Sequence, residues 1–138
     1  MSDLNRRDFL KTSGAMLGAA ALPVGRGAVR QGGGDVLRVF QIGVGGIGGL
    51  DRSRISQHPR AEIVGLCDIN SNVLARHGEK FPDAFRVTDY REAFANRRNE
   101  FDAVNVCTPD HSHAPQILTA LAHDKHCYAQ KPLVQQLE

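Results

Sequence analysis

The sequence has no tryptophan, and aromatic residues make up only 6% of its 138 residues. It also has no apolar run of about 20 residues, the length that a helix needs to cross a bilayer. Neither sign of charge is in excess, because thirteen basic and thirteen acidic residues lie beyond residue 28. These absences argue against a membrane-spanning helix and against the basic stripe of a nucleic-acid-binding protein. The length is that of one globular domain.

The chain has only three cysteines, which are Cys67, Cys107 and Cys127. An odd number without C-x-x-C spacing argues against a disulfide framework or a zinc site. Each cysteine lies in or at the end of an apolar strand-like run, so we expect buried free thiols. His111 and His113 have no third ligand at a useful spacing. We therefore favour hydrogen bonding at a helix start or contact with a ligand over a metal pair, and predict no metal.

The N-terminal segment has the pattern of an export signal. Residues 5–11 read N-R-R-D-F-L-K and precede a mild apolar run at residues 15–24. Twin arginines before an apolar run resemble a twin-arginine translocation signal, whose consensus begins with serine or threonine where Asn5 stands here. The alternative is an amphipathic N-terminal helix.

This pattern sets the expected domain boundaries. We predict a signal region at residues 1–28, a flexible linker at residues 29–34 and a folded domain at residues 35–138. The twin-arginine machinery would export the protein, which would then act in the periplasm. A retained leader would anchor it to the membrane.

Beyond the linker, apolar strand-like runs alternate with helical stretches, which is typical of a parallel sheet with crossover helices. The sequence therefore predicts an α/β fold with a doubly wound parallel sheet of five strands. The predicted strands are residues 36–42, 61–67, 84–88, 101–107 and 126–129. The predicted helices are residues 46–58, residues 70–80, a helix capped by Asp89 and a helix after the fourth strand.

The helix after the fourth strand has the clearest pattern of apolar spacing. Pro115 suits its first turn, where a missing N–H does little harm. We expect a buried stripe at helical spacing along it, made of Ala114, Ile117, Leu118, Leu121 and Ala122.

A glycine-rich turn joins the first strand to the first helix. Residues 43–48 read G-V-G-G-I-G, which is a G-x-G-x-x-G pattern. Gly43 permits the tight turn, Gly45 lets the backbone approach a pyrophosphate, and Gly48 allows close packing of helix on strand. The free N–H groups of Gly46 and Ile47 would then face a diphosphate. The pattern favours a dinucleotide site over a purely structural turn.

Asp68 follows the second strand, twenty residues after Gly48. A carboxylate at this place accepts hydrogen bonds from the adenosine ribose hydroxyls. Its charge would also repel a 2′-phosphate, so we expect NAD rather than NADP. The alternative is a solvated aspartate in a structural turn.

Two polar loops follow the fourth and fifth strands: T-P-D-H-S-H at residues 108–113 and Q-K-P-L at residues 130–133. In an open parallel sheet, such loops form the ligand crevice. Together with the glycine turn, they resemble the nucleotide-binding half of the Gfo/Idh/MocA oxidoreductases. The resemblance covers roughly residues 36–138, and its most specific elements are T-P-x-x-x-H and K-P.

The resemblance assigns roles to the two loops. It implies that Thr108, Pro109 and His113 line the crevice near the nicotinamide-side ribose. It also implies that Lys131 is the catalytic lysine at the nicotinamide and the substrate. Gln130 stands where the family usually has glutamate, so hydrogen bonding is kept but a negative charge is lost. We include His111 and Gln130 among the expected cofactor contacts.

The function implied by the resemblance is an NAD-dependent oxidoreductase that takes hydride from a secondary alcohol of a sugar or cyclitol. One alternative is an NAD-using glycoside hydrolase of the same family, and another is a non-catalytic nucleotide-binding remnant. Family members usually continue into a second domain that supplies most of the substrate pocket and the homo-oligomer interface. We expect that domain to be absent here and the chain alone to show no turnover.

Overall fold

A computed structural model describes residues 36–134, which form one five-stranded parallel sheet. The strand order is β3-β2-β1-β4-β5. The strands are β1 (Leu37–Ile42), β2 (Ala61–Cys67), β3 (Phe85–Val87), β4 (Ala103–Val106) and β5 (His126–Ala129). The helices are α1 (Gly46–Ile55), α2 (Ser71–Gly78), α3 (Tyr90–Asn96) and α4 (His113–Ala122), with a short 3-10 turn at Asp110–Ser112. The predicted doubly wound α/β fold is confirmed.

Alternating side chains of the strands bury two separate clusters, one on each face of the sheet. Phe40 packs with residues of α3 and α4, whereas its neighbour Val39 packs with residues of α1 and α2. The few aromatic residues are concentrated on the first face, where Phe40 and Phe94 each stack against Phe101 at centroid distances of 5.1 and 5.4 Å. Both faces are therefore covered, as an all-parallel sheet requires.

Strands β2 and β5 have the predicted bounds, and the ends of the other elements differ from the prediction by up to three residues. The first helix ends at Ile55 rather than at residue 58, and residues 56–58 continue in turns whose N–H groups bond residues three or four positions back. Pro59 follows, and a residue before proline is disfavoured in the helical conformation. Strand β4 begins at Ala103 rather than at residue 101, because the Asp102 carboxylate, and not a strand carbonyl, accepts the backbone N–H of Arg38 at 3.1 Å.

The predicted buried stripe of the last helix is wrong. Leu118 and Leu121 are 65% and 56% exposed. The residues of α4 that are buried are His113, Gln116 and Ala120, which share the same helical spacing on a neighbouring face. The first two bond to loop atoms, and small Ala120 lets the helix lie close to the sheet. The hydrogen bonds to the loops therefore determine which face of this helix is buried. The spacing of apolar residues in the sequence does not reveal those bonds.

The three thiols are free, as predicted. Cys67 and Cys107 are buried, and Cys127 is half-buried. Burial raises the pKa of Cys67 and of Cys107 to about 12, so both stay protonated and unreactive at neutral pH.

The signal and linker predictions lie outside the described residues, and the domain boundaries stay predictions. Within residues 36–134, none of the helices combines the length and the apolar character needed to cross a membrane.

Candidate functional site

The glycine turn after β1 takes a conformation that only glycine adopts without strain. Gly43 and Gly46 have φ angles of +86° and +50°. A Cβ atom on Gly43 would come within 2.6 Å of the Cys107 carbonyl oxygen, and one on Gly48 would collide with the Gly43 carbonyl oxygen. The turn therefore needs glycine at its first position for conformation and space, and at its last position for space alone.

The middle of the same turn leaves room for an anion. A Cβ on Gly46 would meet nothing within 4 Å, and one on Gly45 would meet only Val73, at 3.5 Å. Gly45 precedes α1 and offers no side-chain cap, and no acidic residue lies in the first helical turn. The N–H groups at the start of α1 thus have no side-chain partner, and an unoccluded cradle lies over them. This arrangement fits a pyrophosphate group.

Gln41 fastens the turn from below, and the sequence analysis did not identify it. Its side chain is fully buried, and Nε2 donates to the carbonyl oxygens of Gly43 at 2.9 Å and Gly48 at 2.7 Å. Both ends of the turn are therefore held by one amide. The available signal was a polar residue inside the apolar run at residues 39–42, directly before the glycine pattern.

Arg52 supports the turn from α1. Although it is buried, its guanidinium donates to the Val44 carbonyl oxygen at 3.1 Å and to Nδ1 of His77 at 2.9 Å. Because arginine has no acceptor, His77 must present an unprotonated Nδ1. Burial and the nearby charge of Arg52 both lower the pKa of His77, which agrees with that state.

Asp68 is joined directly to the glycine turn. One carboxylate oxygen accepts from the Val44 N–H at 3.1 Å, and the other accepts from the Asn70 N–H at 2.9 Å. Asp68 is half-buried, and each of its oxygens has a further lone pair for a ribose hydroxyl. The carboxylate is thus fixed beside the anion cradle, as a dinucleotide site requires.

The loop after β4 carries the predicted residues Thr108, Pro109, His111 and His113. The first three lie at the surface or half-exposed, whereas His113 is only 1% exposed and lies beneath the loop. Nε2 of His113 is 2.7 Å from the Thr108 carbonyl oxygen, and Nδ1 is 2.7 Å from the Pro132 carbonyl oxygen. His113 therefore ties the two polar loops together instead of lining the crevice.

Those two contacts also argue against a metal pair. Both ring nitrogens of His113 face carbonyl oxygens, so neither is free to bind an ion together with His111. No group of three or more possible ligands exists within the part of the chain that the structure describes.

The loop after β5, residues 130–132, is called the lysine loop below. The Gln130 N–H donates to the Val106 carbonyl oxygen at 2.9 Å and so extends the pairing of β5 with β4. Lys131 is exposed. The Gln130 side chain donates to Asp51 of α1 at 2.6 Å, a partner that the sequence analysis missed.

Parallel strands bring these parts to one edge of the sheet. The turn at residues 43–48, Asp68, the loop at residues 108–113 and the lysine loop follow the carboxyl ends of β1, β2, β4 and β5 respectively. In such a sheet a ligand binds outside these strand ends, where the strand order reverses. That point lies between β1 and β4, between the glycine turn and the loop of Thr108.

Comparison with known families agrees with this geometry. The sequence model of the Gfo/Idh/MocA family, described as an oxidoreductase family with an NAD-binding Rossmann fold, matches residues 37–138. The chain belongs to this family. Its cofactor is NAD, and the cradle and Asp68 fit that molecule. A model of the twin-arginine translocation signal matches residues 3–23, which confirms the predicted signal.

Individual relatives share the nucleotide-binding part. Inositol 2-dehydrogenase of Paracoccus denitrificans is 35% identical over 99 residues, which cover 70% of this chain and 29% of that protein. A glycosyl hydrolase family 109 protein of Shewanella sp. (strain ANA-3) is 29% identical over 164 residues, which cover 100% of this chain and 36% of that protein. The crystal structure of GenD2 from gentamicin A biosynthesis in complex with NAD is 27% identical, with a TM-score of 0.67, and the match covers 73% of this chain and 28% of GenD2.

The chain is much shorter than these relatives. It spans about a quarter to a third of the length of the curated relatives it matches. The activity of the whole protein is therefore a matter for proposal.

Proposed function

We propose that this chain is the NAD-binding half of an oxidoreductase that takes hydride from a secondary alcohol of a sugar or cyclitol. The observation that carries the proposal is the bond from the Val44 N–H to Asp68, which fixes a carboxylate beside an open anion cradle. The inositol 2-dehydrogenase relative supports the substrate class.

Each part of the crevice has one task in this proposal. The N–H groups of Gly46 and Ile47 bind the pyrophosphate, and Asp68 accepts from the ribose hydroxyls. Thr108 and Pro109 line the nicotinamide side of the crevice. NAD, when bound, accepts the hydride. Lys131 is exposed at the same edge, where its side chain orients the substrate hydroxyl and, as the neutral amine, accepts the hydroxyl proton while hydride leaves the carbon.

Asp68 also sets the choice between the two nicotinamide cofactors. A 2′-phosphate would carry negative charge next to a carboxylate whose position is fixed by two backbone N–H groups. The carboxylate cannot turn away without losing both bonds. We infer a preference for NAD over NADP.

The test replaces Asp68 with asparagine and measures the affinity for NAD and for NADP by calorimetry. We expect NAD affinity to fall by about tenfold or more, because a charged hydrogen bond contributes about 1.5–3 kcal/mol, and discrimination against NADP to shrink. Asp83→Asn is the matched control, since Asp83 is exposed and lies outside the crevice. Unchanged affinities in Asp68→Asn would refute the ribose assignment.

One observation favours the hydrolase alternative. The match to the family 109 glycosyl hydrolase covers 100% of this chain, whereas the match to the inositol dehydrogenase covers 70%. Such an enzyme would use a retained NAD transiently and cleave a glycoside. In a longer form that carries a substrate domain, glycoside cleavage without accumulation of NADH would favour this alternative, and net reduction of NAD would favour the first.

We propose export through the twin-arginine route to the periplasm, supported by the signal at residues 3–23. Anchoring by a retained leader and a homo-oligomeric longer form belong to the same proposal. The 138-residue chain alone is expected to show no turnover, because the described residues supply the cofactor side of the crevice only. Oxidation of a sugar by this chain with NAD would contradict that expectation.

A further inference from the structure

A buried carboxylate lies directly beneath the lysine loop. Asp51 of α1 is only 7% exposed, and its Oδ2 accepts a hydrogen bond of 2.6 Å from Nε2 of Gln130. The Cys107 thiol donates to the same oxygen at 3.4 Å. The Cys107 sulfur also lies 3.4 Å from Oδ1 of Asn105, so the carboxylate is connected to β4 as well. One side chain of α1 thus joins the ends of β4 and β5.

A carboxylate can only accept hydrogen bonds, so its neighbours must donate. Burial and the bond to Asp51 raise the pKa of Cys107 to about 12, and the thiol keeps the proton that it donates. The amide of Gln130 supplies the second donor. A glutamate at position 130 would instead place a second carboxylate against a buried one, and like charges at this distance repel strongly.

We propose that Asp51 is a positioning residue for the lysine loop, and that Asp51 and Gln130 act as a matched pair. The negative charge beneath the lysine loop lies on Asp51 of α1 rather than on the loop itself. Position 130 must therefore carry a hydrogen-bond donor.

The pair fixes the loop from two sides. The backbone N–H of Gln130 bonds to the Val106 carbonyl oxygen at 2.9 Å, and its side chain bonds to Asp51. Lys131 directly follows Gln130, so its backbone continues from a residue whose main chain and side chain are both fixed by hydrogen bonds. The role of Lys131 itself rests on the proposed function, whereas the Asp51–Gln130 pairing does not.

The first experiment exchanges the two groups. In the 138-residue chain without NAD, Gln130→Glu should speed hydrogen exchange of the residue-130 amide by about tenfold or more, the equivalent of one lost charged hydrogen bond. The double variant Asp51→Asn/Gln130→Glu should return the rate to within about threefold of the parent, within the usual error of additivity. The new amide nitrogen at position 51 would then donate to the new carboxylate, and the Cys107 thiol would keep Oδ1 of Asn105 as its acceptor.

The second experiment holds even where Gln130→Glu prevents folding. Gln130→Ala leaves the Asp51 charge with the thiol alone, and removing that charge as well should relieve the defect. We expect the residue-130 amide of Asp51→Asn/Gln130→Ala to exchange more slowly than that of Gln130→Ala. A purely structural role for Asp51 predicts the opposite, because two lost partners would then be worse than one.

Matched controls use the same substitutions at exposed sites. Gln57→Glu and Asp83→Asn should leave the residue-130 exchange rate unchanged. Equal rates in Gln130→Glu and in the exchanged double variant, or faster exchange in Asp51→Asn/Gln130→Ala than in Gln130→Ala, would overturn the proposal. All rates are measured without NAD, so a failure of the Asp68 test leaves this result intact, and the reverse also holds.

Discussion

The two sides of the crevice are built by different means. On the proposed adenosine side, the glycine turn and Asp68 are shaped by backbone conformation, by the absence of Cβ atoms, by backbone N–H groups and by the nearby Gln41 side chain. On the proposed nicotinamide side, the lysine loop is held by side chains that are far away in sequence. His113 reaches Pro132 and Asp51 reaches Gln130 across 19 and 79 positions.

This difference determines what kinds of substitution each side tolerates. A turn made by missing side chains is damaged by adding atoms, because its neighbours are backbone atoms that cannot move aside. A loop held by side-chain hydrogen bonds is damaged by removing atoms, because a buried partner is then left unsatisfied. The predictions below apply one change of each kind.

The largest effect is expected from Gly48→Ala. The added methyl would collide with the Gly43 carbonyl oxygen and lie 2.8 Å from Nε2 of Gln41. We expect the free energy of unfolding to fall by about 3 kcal/mol, the upper range for overpacking a rigid site, as measured by urea denaturation.

The neighbouring glycine provides the control. Gly49 is also helical, and a Cβ there would meet atoms no closer than 3.7 Å. Gly49→Ala should be neutral or stabilise the chain by up to about 1 kcal/mol through its helix propensity. Equal destabilisation by the two variants would show that space at Gly48 is not what the turn requires.

A smaller effect is expected on the other side from His113→Ala. It removes the ring whose Nε2 and Nδ1 lie 2.7 Å from the Thr108 and Pro132 carbonyl oxygens, and with it the hydrogen bond that the ring donates. We expect a loss of about 2 kcal/mol in urea denaturation, as for buried groups that lose a hydrogen bond. Amide exchange should also rise in both polar loops.

His111→Ala is the matched control, because His111 is exposed in the same loop. Its effect should stay within about 0.5 kcal/mol. If the two histidine variants behaved alike, His113 would not be the tie between the loops.

The same difference explains how much of the molecule could be read from the sequence. The alternation of strands and helices, the glycine turn and the place of Asp68 follow from patterns within some 25 residues. The structure has all three where they were expected. Element ends were less accurate, because side-chain bonds such as that of Asp102 to Arg38, 64 positions away, decide some of them.

Long-range side-chain contacts could not be read in this way. The apolar spacing of α4 indicated Leu118 and Leu121 as core residues, but the bonds of His113 and Gln116 to the loops turn another face inward. Asp51 gave no signal either, because its partner Gln130 lies at the far end of the domain. Single-sequence patterns carry no information about which distant residues meet.

The smallest effect concerns a side chain of α1 that holds the glycine turn. Arg52 joins the Val44 carbonyl oxygen to His77, and we expect this pair to make the turn sensitive to pH. The pKa of His77 is lowered in the folded chain by burial first and by the charge of Arg52 second. The unfolded chain therefore binds the proton more readily than the folded chain does.

The sign of the pH dependence follows from linkage. The contribution of His77 is fully present above its unfolded pKa of about 6.5. It is lost as the pH falls from there toward the lowered folded value, because protonation places a second cation against Arg52.

In His77→Gln, whose side-chain oxygen can still accept from Arg52, urea denaturation should show a shallower loss of stability below neutral pH. His58→Gln, at an exposed site, should keep the parent slope. Identical slopes in the parent and His77→Gln would mean that protonation of His77 does not weaken the turn.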